Sequence, residues 1–357
     1  MIKLQRNLLD WFQNNARDLP WRKAYIPYHI WISEIMLQQT QMDRVVAYFD
    51  RWMERFPDIA AVASANEEEV LKLWEGLGYY SRARNIIKTA KLLIDNYDGE
   101  LPADPKELEK LPGIGPYTAG AIMSIAFNRE YPLVDANIER VFARLFDLDK
   151  PVKEKKTHTF IWEKANELIP KDKAREFNQA LMEFGALVCI PQNPRCKICP
   201  ISEHCQAFSL DIVVKRPVLK KPPKTIFIEM ATGILKHDDK ILIQKRKSTG
   251  VWANLWEFPG GRLEPGETPE IALVREYKEE TELSVGILKK ITTVHHSYTI
   301  YRVTLHCYFC SLLDNRYKPV LHGAQQYRWV DPHELSNYAF PAGHRKFIKY
   351  LQKGISL

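Results

Sequence analysis

The spacing of apolar residues changes between the two parts of the chain. Up to about residue 212 they recur at the roughly 3.6-residue period of amphipathic helices, and after residue 224 they alternate as in half-buried strands. The predicted helices cover Met1–Phe12, Tyr28–Phe56, Glu67–Trp74, Ser81–Asn96, Pro105–Leu111, Pro116–Phe127, Ala136–Phe146, Lys155–Leu168 and Ala174–Val188. The predicted strands cover Thr225–Leu235, Lys240–Lys247, Ile287–His295, Tyr301–Leu312 and Gln326–Val330, with one helix over Pro269–Thr281. The pattern predicts an all-α module followed by an α+β module.

A basic, proline-rich stretch separates the two patterns. Val213–Lys224 reads VVKRPVLKKPPK and has no period, which is typical of a linker. A chain of 357 residues is too long for one ordinary hydrophobic core. We therefore expect a domain over residues 1–212, a linker over 213–224 and a second domain over 225–357.

Composition argues against a membrane protein and is compatible with a nucleic-acid partner. No apolar stretch approaches the length that spans a bilayer, and the N-terminal segment reads as an amphipathic helix instead of a targeting signal. The formal net charge of +7 and the nine tryptophans suit DNA binding, although many metabolic enzymes are equally basic. We expect a cytoplasmic protein, located at the bacterial nucleoid.

Cys189, Cys196, Cys199 and Cys205 form a C-x6-C-x2-C-x5-C run. Four thiolates in so short a loop, residues 189–205, can enclose one soft metal centre, either zinc or a [4Fe-4S] cluster. Structural zinc sites usually pair two close-spaced cysteine knuckles, whereas only the middle pair is close here. The spacing favours the [4Fe-4S] cluster over zinc and over unliganded thiols.

Cys307 and Cys310 form a second close pair. The C-x2-C spacing is also found in metal sites, but this segment reads as a strand, and residues three apart on a strand point to opposite faces. We expect both side chains to serve packing.

A glycine-containing turn joins two predicted helices where residues 111–122 read LPGIGPYTAGAI. Gly113 and Gly115 allow backbone angles closed to other residues and leave no side chain in the way of an approaching strand. Pro116 suits the first helical turn, and the free amides of that turn can hold a phosphate oxygen. A tight helix–helix turn without a ligand is the alternative, which the L-P-G-I-G form disfavours.

Two carboxylates occupy positions that suggest chemistry. Glu34 stands in HIWISEIML, which is apolar on almost every side, so an ionised carboxylate there must take up a proton or find partners. Burial of that kind makes a general acid. The alternative is a glutamate on a narrow solvated stripe. Asp135 directly precedes a predicted helix and, taken alone, reads as its N-cap.

These features together resemble the helix-hairpin-helix DNA glycosylases with an iron–sulfur loop, and within them the adenine DNA glycosylases of the MutY type. The resemblance runs from about Leu4 to Cys205 and continues beyond the linker. The matching stretches are Pro20–Arg22, Ser33–Thr40, Gly76–Arg82, the turn at 111–122, Val134–Asn137 and the cysteine loop.

The resemblance implies an adenine DNA glycosylase that divides its chemistry between two carboxylates. Glu34 would protonate N7 of adenine, and Asp135 would stabilise, or transiently bond to, the oxocarbenium sugar before water completes the hydrolysis. Tyr117 and Asn137 match supporting residues for the intermediate. Endonuclease III-like lyases have a nucleophilic lysine where this chain has Tyr117, so we expect base removal without strand cleavage. A merely packing aromatic is the alternative for Tyr117.

The resemblance also implies the partner, which is double-stranded DNA with adenine opposite 8-oxoguanine or guanine, bound by a monomer. Gln39 and Tyr79 match positions that wedge into the duplex when adenine is flipped out. The other expected DNA contacts are Arg22, Gly113, Gly115, Arg195 and Lys197. A lesion-sensing protein that does not cut is an alternative class, which the intact Glu34 and Asp135 argue against.

Residues 261–283 resemble the nudix box, with Glu282 where the box has glycine. In adenine glycosylases the nudix-like domain recognises 8-oxoguanine and does no chemistry. The helical spacing of Glu276, Glu279 and Glu280 puts Glu276 and Glu280 on one face, which could hold Mg²⁺. A residual nucleotide pyrophosphatase, or a nudix hydrolase with a DNA-targeting arm, is therefore an alternative. The family role favours a solvated acidic face.

The lesion-reading loop departs from the Phe-Ser-His of the family. The best local alignment places Tyr298, Thr299 and Ile300 there, and Ile300 cannot replace the hydrogen bonds of histidine. A different register would put His296 at the histidine position. We favour the first register, because the flanking residues then match as well, and expect Thr299 to contact the lesion.

Overall fold

The chain forms two compact units, and the second includes a segment from the N-terminal half. One unit comprises Met1–Ala65 and Asn85–Lys221, and the other comprises Asn66–Arg84 and Pro222–Leu357. The computed structural model describes residues 2–220 and 223–354, apart from the side chains of residues 353 and 354. Residues 221 and 222 of the expected linker therefore lie outside the described residues, as do residue 1 of the first expected domain and residues 355–357 of the second.

Helices account for most of the sequence before residue 212, as the apolar period predicts. They are α1 (Lys3–Asn15), α2 (Pro27–Leu37), α3 (Met42–Arg55), α4 (Ile59–Ser64), α5 (Glu67–Trp74), α6 (Ser81–Asn96), α7 (Pro105–Lys110), α8 (Pro116–Ala121), α9 (Ala136–Leu145), α10 (Lys155–Glu167), α11 (Ala174–Leu187) and α12 (Gln206–Ser209). A π-helical turn, Ile122–Ala126, continues α8. The predicted bounds are confirmed to within a few residues, with one exception.

The expected long helix over Tyr28–Phe56 is wrong, because the structure divides it into α2 and α3. Gln39 lies between them with a φ of +57°, in the left-handed region that a continuous α-helix does not visit. The apolar pattern runs on across this break, so periodicity alone could not reveal it. Helix α4 was not predicted either; it is short and begins at Asp58, whose side chain accepts a hydrogen bond from the Ala61 amide.

Two glycines bring the backbone of the first unit close to the segment between Pro132 and Asn137. A Cβ on Gly120 of α8 would lie 2.2 Å from the carbonyl oxygen of Pro132, and a Cβ on Gly185 of α11 would lie 2.7 Å from Cβ of Asn137. Both distances are far below van der Waals contact, so only glycine fits. These contacts fix the position of Asp135, which begins α9.

The second unit is built on a seven-stranded sheet. Its strands are β1 (Ile226–His237), β2 (Lys240–Arg246), β3 (Trp256–Glu257), β4 (Gly260–Arg262), β5 (Val285–Tyr298), β6 (Tyr301–Leu312) and β7 (Ala324–Val330), and its later helices are α13 (Pro269–Thr281) and α14 (Ala342–Gly354). The path runs β3-β2-β1-β6-β5, with β1 parallel to β6, β4 paired to β1 and β7 paired to β2. The short strands β3 and β4 and the helix α14 were not predicted.

Each face of this sheet is covered by its own apolar cluster. One cluster includes Cys307 with Phe347 of α14, and the other includes Cys310 with Leu273 of α13. Burial raises the pKa of each thiol to about 12. The expectation that these two cysteines pack on opposite faces is confirmed.

Helix α5 and the residues after it pack within the second unit. Glu68 pairs with Lys245 at 2.6 Å, and the Glu75 carboxylate accepts hydrogen bonds from the Phe340 amide and from Nε of Arg345, both at 2.8 Å. A division by sequence order alone assigns this segment to the first domain. The structure differs because these contacts link residues about 180 to 270 positions apart, and local patterns carry no information about them.

Glu282, the departure from the nudix box, ends α13 in the left-handed conformation with a φ of +56°. Glycine is the usual residue at this position because it adopts that conformation without steric cost. Here the Glu282 carboxylate pairs with His322 at 3.0 Å and with Arg316 at 3.2 Å, which compensates part of that cost.

Candidate active site

A cavity of about 710 Å³ lies in the first unit, within the size range of small-molecule sites. Glu34, Tyr117, Asp135 and Asn137 all line it, although they come from three different parts of the sequence. Gln39, at the left-handed break between α2 and α3, lines it as well. The structure thus brings the four expected catalytic residues and one expected wedge residue to one place.

Glu34 lies on α2 with only 3% of its surface exposed, so the solvated-stripe alternative is wrong. The pKa of this carboxyl is raised to about 7, mainly because the group is buried and to a smaller extent because of the nearby Asp135. The hydrogen bond that its Oε2 accepts from the Tyr117 hydroxyl and the charge of Arg22 act in the opposite direction. With this pKa, about half of the Glu34 side chains carry at neutral pH the proton that a general acid needs.

Tyr117 lies in the first turn of α8, directly after Pro116, and its hydroxyl donates to Glu34. Burial, together with the charges of Glu34 and Asp135, raises the pKa of the phenol well above its ordinary value. The hydroxyl therefore remains a neutral donor. A role in packing alone does not account for this bond.

Asp135 is the N-cap of α9, as its position in the sequence suggests, and it also faces the cavity. Its Oδ1 accepts from the Ile138 amide at 2.8 Å, while its Oδ2 accepts from Nδ2 of Asn137 at 2.7 Å. Burial raises the pKa of Asp135 above its ordinary value, although these two hydrogen bonds favour the ionised form. The helix cap therefore uses one oxygen of the carboxylate, and the Asn137 amide holds the other.

Arg140, which the sequence did not single out, connects this site to the cysteine loop. Its Nη2 donates to Oδ1 of Asn137 at 2.8 Å and to the Gly185 carbonyl at 2.7 Å, and its Nε donates to the Cys189 carbonyl at 2.8 Å. The arginine is buried one turn after Asn137 on α9. It thereby fixes the amide that in turn holds Asp135.

A buried ion-pair network forms another part of the cavity wall. Glu183 of α11 accepts from the backbone amide, Nε and Nη2 of Arg17 at 3.0, 2.7 and 3.0 Å, and from Nη2 of Arg22 at 3.0 Å. The signal that identified Glu34, a carboxylate inside an apolar helical stretch, is present in ALMEFGAL as well and would have identified Glu183. Since Arg22 is occupied in this pair, its expected contact with DNA stays a prediction.

In the turn between α7 and α8, the expected special backbone angle is found at Gly113 but not at Gly115. Gly113 has a φ of +83°, and a Cβ there would lie 2.9 Å from Cβ of Asn85, so glycine is required. Gly115 has a φ of −99° and open space where a Cβ would lie, so the expectation of a special backbone angle is wrong there. What Gly115 offers is room next to the first turn of α8.

The four cysteines of residues 189–205 line one cavity together with apolar side chains such as Phe184 and Ile201. Burial raises the pKa of the Cys199 thiol to about 12 and that of Cys196 and Cys205 above the ordinary value. Within residues 2–220 and 223–354, no three His, Cys, Asp or Glu side chains are placed to hold a single ion. The donor set, four thiols around one apolar cavity, fits a cluster of iron and sulfur.

Arg144 supports the cysteine loop from α9. Its Nη1 donates to Sγ of Cys189 at 3.3 Å and to the carbonyl oxygen of Ile190 at 2.8 Å, while its own carbonyl accepts from Sγ of Cys205 at 3.4 Å. A buried guanidinium beside the sulfur atoms offsets the negative charge of thiolate ligands.

Two further expected DNA contacts, Tyr79 and Thr299, belong to the second unit. The Tyr79 ring lies 5.9 Å from the ring of Tyr298, which in turn lies 5.8 Å from the ring of Trp252. Thr299 is exposed at the two-residue turn between β5 and β6 with a φ of +49°. His296 lies back in β5 with both ring nitrogens buried. This placement supports the register that puts Thr299 at the tip of the loop.

The nudix-box residues of the second unit bond mainly to one another. Arg275 donates to Glu267 at 2.7 Å and to Glu276 and Glu279 at 3.1 Å each, and Oε2 of Glu280 accepts from Nε2 of Gln244 at 2.8 Å. Glu280 is half-buried and its pKa is raised to about 7, mainly by desolvation, whereas Glu279 is exposed, so the acidic face is only partly solvated.

A small cavity lies beside the nudix box. It measures about 20 Å³ and is lined by Glu257, Gly260 and His344 among others. That volume holds about one water molecule. The pyrophosphatase alternative stays a hypothesis.

No helix in the described part of the chain is both long enough and apolar enough to cross a membrane.

Comparison with known proteins defines the class. Residues 32–167 match the HhH-GPD superfamily of base excision DNA repair proteins, and residues 230–350 match the NUDIX domain family. A thermostable thymine-DNA glycosylase is similar over 58% of this chain and 95% of its own, with 32% identity and a TM-score of 0.54. A trapped endonuclease III–DNA covalent intermediate matches over 59% of this chain and 100% of its own, with 29% identity and a TM-score of 0.50. The first unit is a helix-hairpin-helix DNA glycosylase.

Full-length relatives specify the family. The adenine DNA glycosylase of Rattus norvegicus is 33% identical over 98% of this chain and 78% of its own length, and that of Homo sapiens is 31% identical over 97% and 73%. The adenine DNA glycosylase of Buchnera aphidicola subsp. Schizaphis graminum is 37% identical over 71% and 73%. The chain belongs to the adenine DNA glycosylase family, the enzymes that remove adenine in base excision repair, and the resemblance in its sequence is confirmed.

Proposed function

We propose that this enzyme removes adenine opposite 8-oxoguanine or guanine by hydrolysis alone, without cutting the DNA strand. The observation that carries the proposal is the pair formed by the buried Glu34 and the half-buried Asp135 in one cavity, with a pKa of about 7 for Glu34. A protonated acid and a second carboxylate around one cleft can supply the proton and the charge that glycosidic cleavage needs.

In this proposal the two carboxyl groups divide the steps between them. Glu34 gives its proton to N7 of the extruded adenine, so the base leaves as a neutral molecule and the sugar becomes an oxocarbenium ion. Asp135 faces that cation, and the amide of Asn137 holds its Oδ2 in place. Water then adds to the anomeric carbon and gives a proton back to the Glu34 carboxylate, which restores the acid. The Tyr117 hydroxyl stabilises the Glu34 carboxylate once the proton has left.

The absence of strand cleavage follows from the residue at the hairpin. A lyase needs an amine that forms a Schiff base with the sugar, and this position holds Tyr117, whose hydroxyl is engaged with Glu34. Lys153 also lines the cavity, but its amine is paired with Glu139 at 2.7 Å. We expect abasic sites to accumulate as the product.

Partners and cofactor complete the proposal. Cys189, Cys196, Cys199 and Cys205 would hold a [4Fe-4S] cluster, which braces a DNA-contacting loop and supplies no step of the hydrolysis. The enzyme would act as a monomer at the nucleoid. Gln39 and Tyr79 would wedge into the duplex, and Thr299 would contact the 8-oxoguanine left opposite the extruded adenine.

Excision assays on three duplexes test this function. Adenine stands opposite 8-oxoguanine, guanine or thymine, and each product is divided into samples with and without alkali. We expect release of adenine from the first two duplexes and breakage of the strand only after alkali. Breakage without alkali, or equal rates on all three duplexes, would contradict the proposal.

Replacing Glu34 by Gln tests the assignment of the acid. Glutamine keeps the shape and can still bond to Tyr117, but it has no proton to give, so we expect excision to fall by at least about 10³-fold while DNA binding changes little. Single-turnover rates and gel-shift affinities measured on the same preparation separate the two effects. Continued adenine release by this variant would mean that another group is the acid.

A further inference from the structure

Glu183, Arg17 and Arg22 form a cluster of charged side chains that lines the same cavity as Glu34, and its net charge affects the protonation of Glu34. The Glu183 side chain is 1% exposed and those of Arg17 and Arg22 are 31% and 12% exposed, so the carboxylate is the innermost member. Burial raises the pKa of Glu183, but the hydrogen bonds and charges of the two arginines outweigh burial and lower it overall. Glu183 is therefore ionised throughout the working pH range.

The position of Arg22 is set from two sides. Its Nη2 donates to Glu183 at 3.0 Å, its Nη1 donates to the carbonyl oxygen of Arg17 at 3.0 Å, and its guanidinium lies 5.4 Å from the ring centre of Phe12. These contacts hold the Arg22 guanidinium in a single orientation.

Glu34 shares its cavity with several charges, and their sum decides whether it keeps its proton. Among the described lining residues, the charged or titratable groups besides Glu34 are Arg17, Arg22, Tyr117, Asp135, Lys153 and Glu183. The charge of Arg22 favours ionised Glu34, whereas the charge of Asp135 favours the protonated form. An Arg22 without its carboxylate partner would act on Glu34 more strongly.

We propose that Glu183 is a positioning residue of the reaction: it fixes Arg17 and Arg22 on the cavity wall and offsets their charge, so that Glu34 holds its proton until adenine enters. The proposal rests on the assignment of Glu34 as the acid. In this proposal Glu183 gives no proton itself. Its negative charge helps to set the electrostatic environment in which Glu34 acts.

The pH dependence of the Glu183→Gln variant tests the proposal. Because protonated Glu34 is the active form, the single-turnover rate of the wild-type enzyme falls as the pH rises through the pKa of Glu34. Freed from its counter-ion, Arg22 would favour ionised Glu34, so we expect the midpoint of this fall to move down by about one pH unit. At pH 8 the rate would then drop about tenfold, and at pH 5.5 it would stay within about twofold of wild type.

Companion variants distinguish this charge effect from a loss of structure. Glu183→Asp keeps the charge and should return the midpoint towards that of wild type. Glu167→Gln, which removes an exposed pair with Lys164, should leave the profile unchanged. A uniformly lower rate with an unmoved midpoint in Glu183→Gln would reduce the residue to a structural support and overturn the proposal.

The outcome for Glu34→Gln separates failure of this proposal from failure of the proposed function. If Glu34→Gln still excises adenine, the proposed acid is wrong and the Glu183 proposal falls with it. If Glu34→Gln is inactive while Glu183→Gln keeps the wild-type midpoint, the acid stands and only the role of Glu183 is refuted.

Discussion

At the scale of single residues, Glu34 carries a stability penalty that grows with pH. Its ordinary pKa is 4.5 and its pKa in the fold is about 7. Between these values the folded protein binds more protons than the unfolded chain, so stability falls as the pH rises through this window. Below 4.5 the penalty is absent, and above 7 it is complete. A side chain kept for packing alone would not be expected to carry it.

The same Glu34→Gln variant makes this penalty measurable. Glutamine does not titrate, so the variant escapes this loss of stability. We expect the free energy of unfolding of the variant minus that of wild type to rise by about 3 kcal/mol between pH 4.5 and pH 8. Denaturant titrations at the two pH values give the difference, and constant effects of the substitution cancel in it. Glu167→Gln, on the surface, provides a control that should show no such trend. Parallel pH curves for Glu34→Gln and wild type would mean that Glu34 ionises normally in the fold.

The residues of the site differ in how far the sequence reveals them. Glu34 is conspicuous because it interrupts an apolar helix, and Asp135 because it precedes one. Glu183 carries the same signal as Glu34 but adjoins no recognised motif. Arg140 gives no local signal, since its role arises from three acceptors that only the packing of α9 against α11 and the cysteine loop brings together.

At the scale of elements, the approach of α8 to the segment before α9 depends on Gly120. A Cβ at this position would lie 2.2 Å from the carbonyl oxygen of Pro132 and 3.2 Å from Cα of Leu133. Backbone cannot move aside as a flexible side chain can, so the segment that ends at Asp135 would have to shift.

We therefore expect Gly120→Ala to reduce both stability and excision. The loss of stability should be about 2 to 4 kcal/mol, and a displacement of Asp135 by about 1 Å should slow the single-turnover rate by about 10²-fold. The matched substitution Gly115→Ala meets open space and should lose only about 1 kcal/mol, because alanine is a poor N-cap. Equal melting temperatures for the two variants would show that the close approach at Gly120 is relaxed in solution.

Prediction of helices and strands succeeded where one hydrophobic period runs along the whole element. It failed where a few residues determine the local structure. Helices such as α5 and α6 have the predicted bounds because an apolar stripe runs along their whole length. The π-helical turn at Ile122–Ala126 and the two-residue strand β3 are too short for a periodic pattern to reveal them. Strand β3 forms because β2 supplies its hydrogen-bond partners.

At the scale of the whole molecule, the two compact units are not two consecutive parts of the sequence. The segment Asn66–Arg84 is part of the second unit, and the buried Glu75 carboxylate accepts hydrogen bonds from the Phe340 amide and from Arg345. Further hydrogen bonds join the Tyr80 hydroxyl to the Phe340 carbonyl and Nη1 of Arg84 to the Ala253 carbonyl. A chain that stops after residue 220 would lack every one of these partners.

Hydrogen exchange can decide whether these contacts hold the segment in solution. In a chain of residues 1–220, Glu75 would lose the Phe340 amide and Arg345 as donors, so we expect amides of residues 66–80 to exchange at least about 10²-fold faster than in the full chain. Helix α9, whose partners Gly185 and Cys189 remain, serves as the internal reference and should keep its protection. If residues 66–80 are equally protected in both chains, they fold without the second unit, and the division by sequence order would then be the physical one.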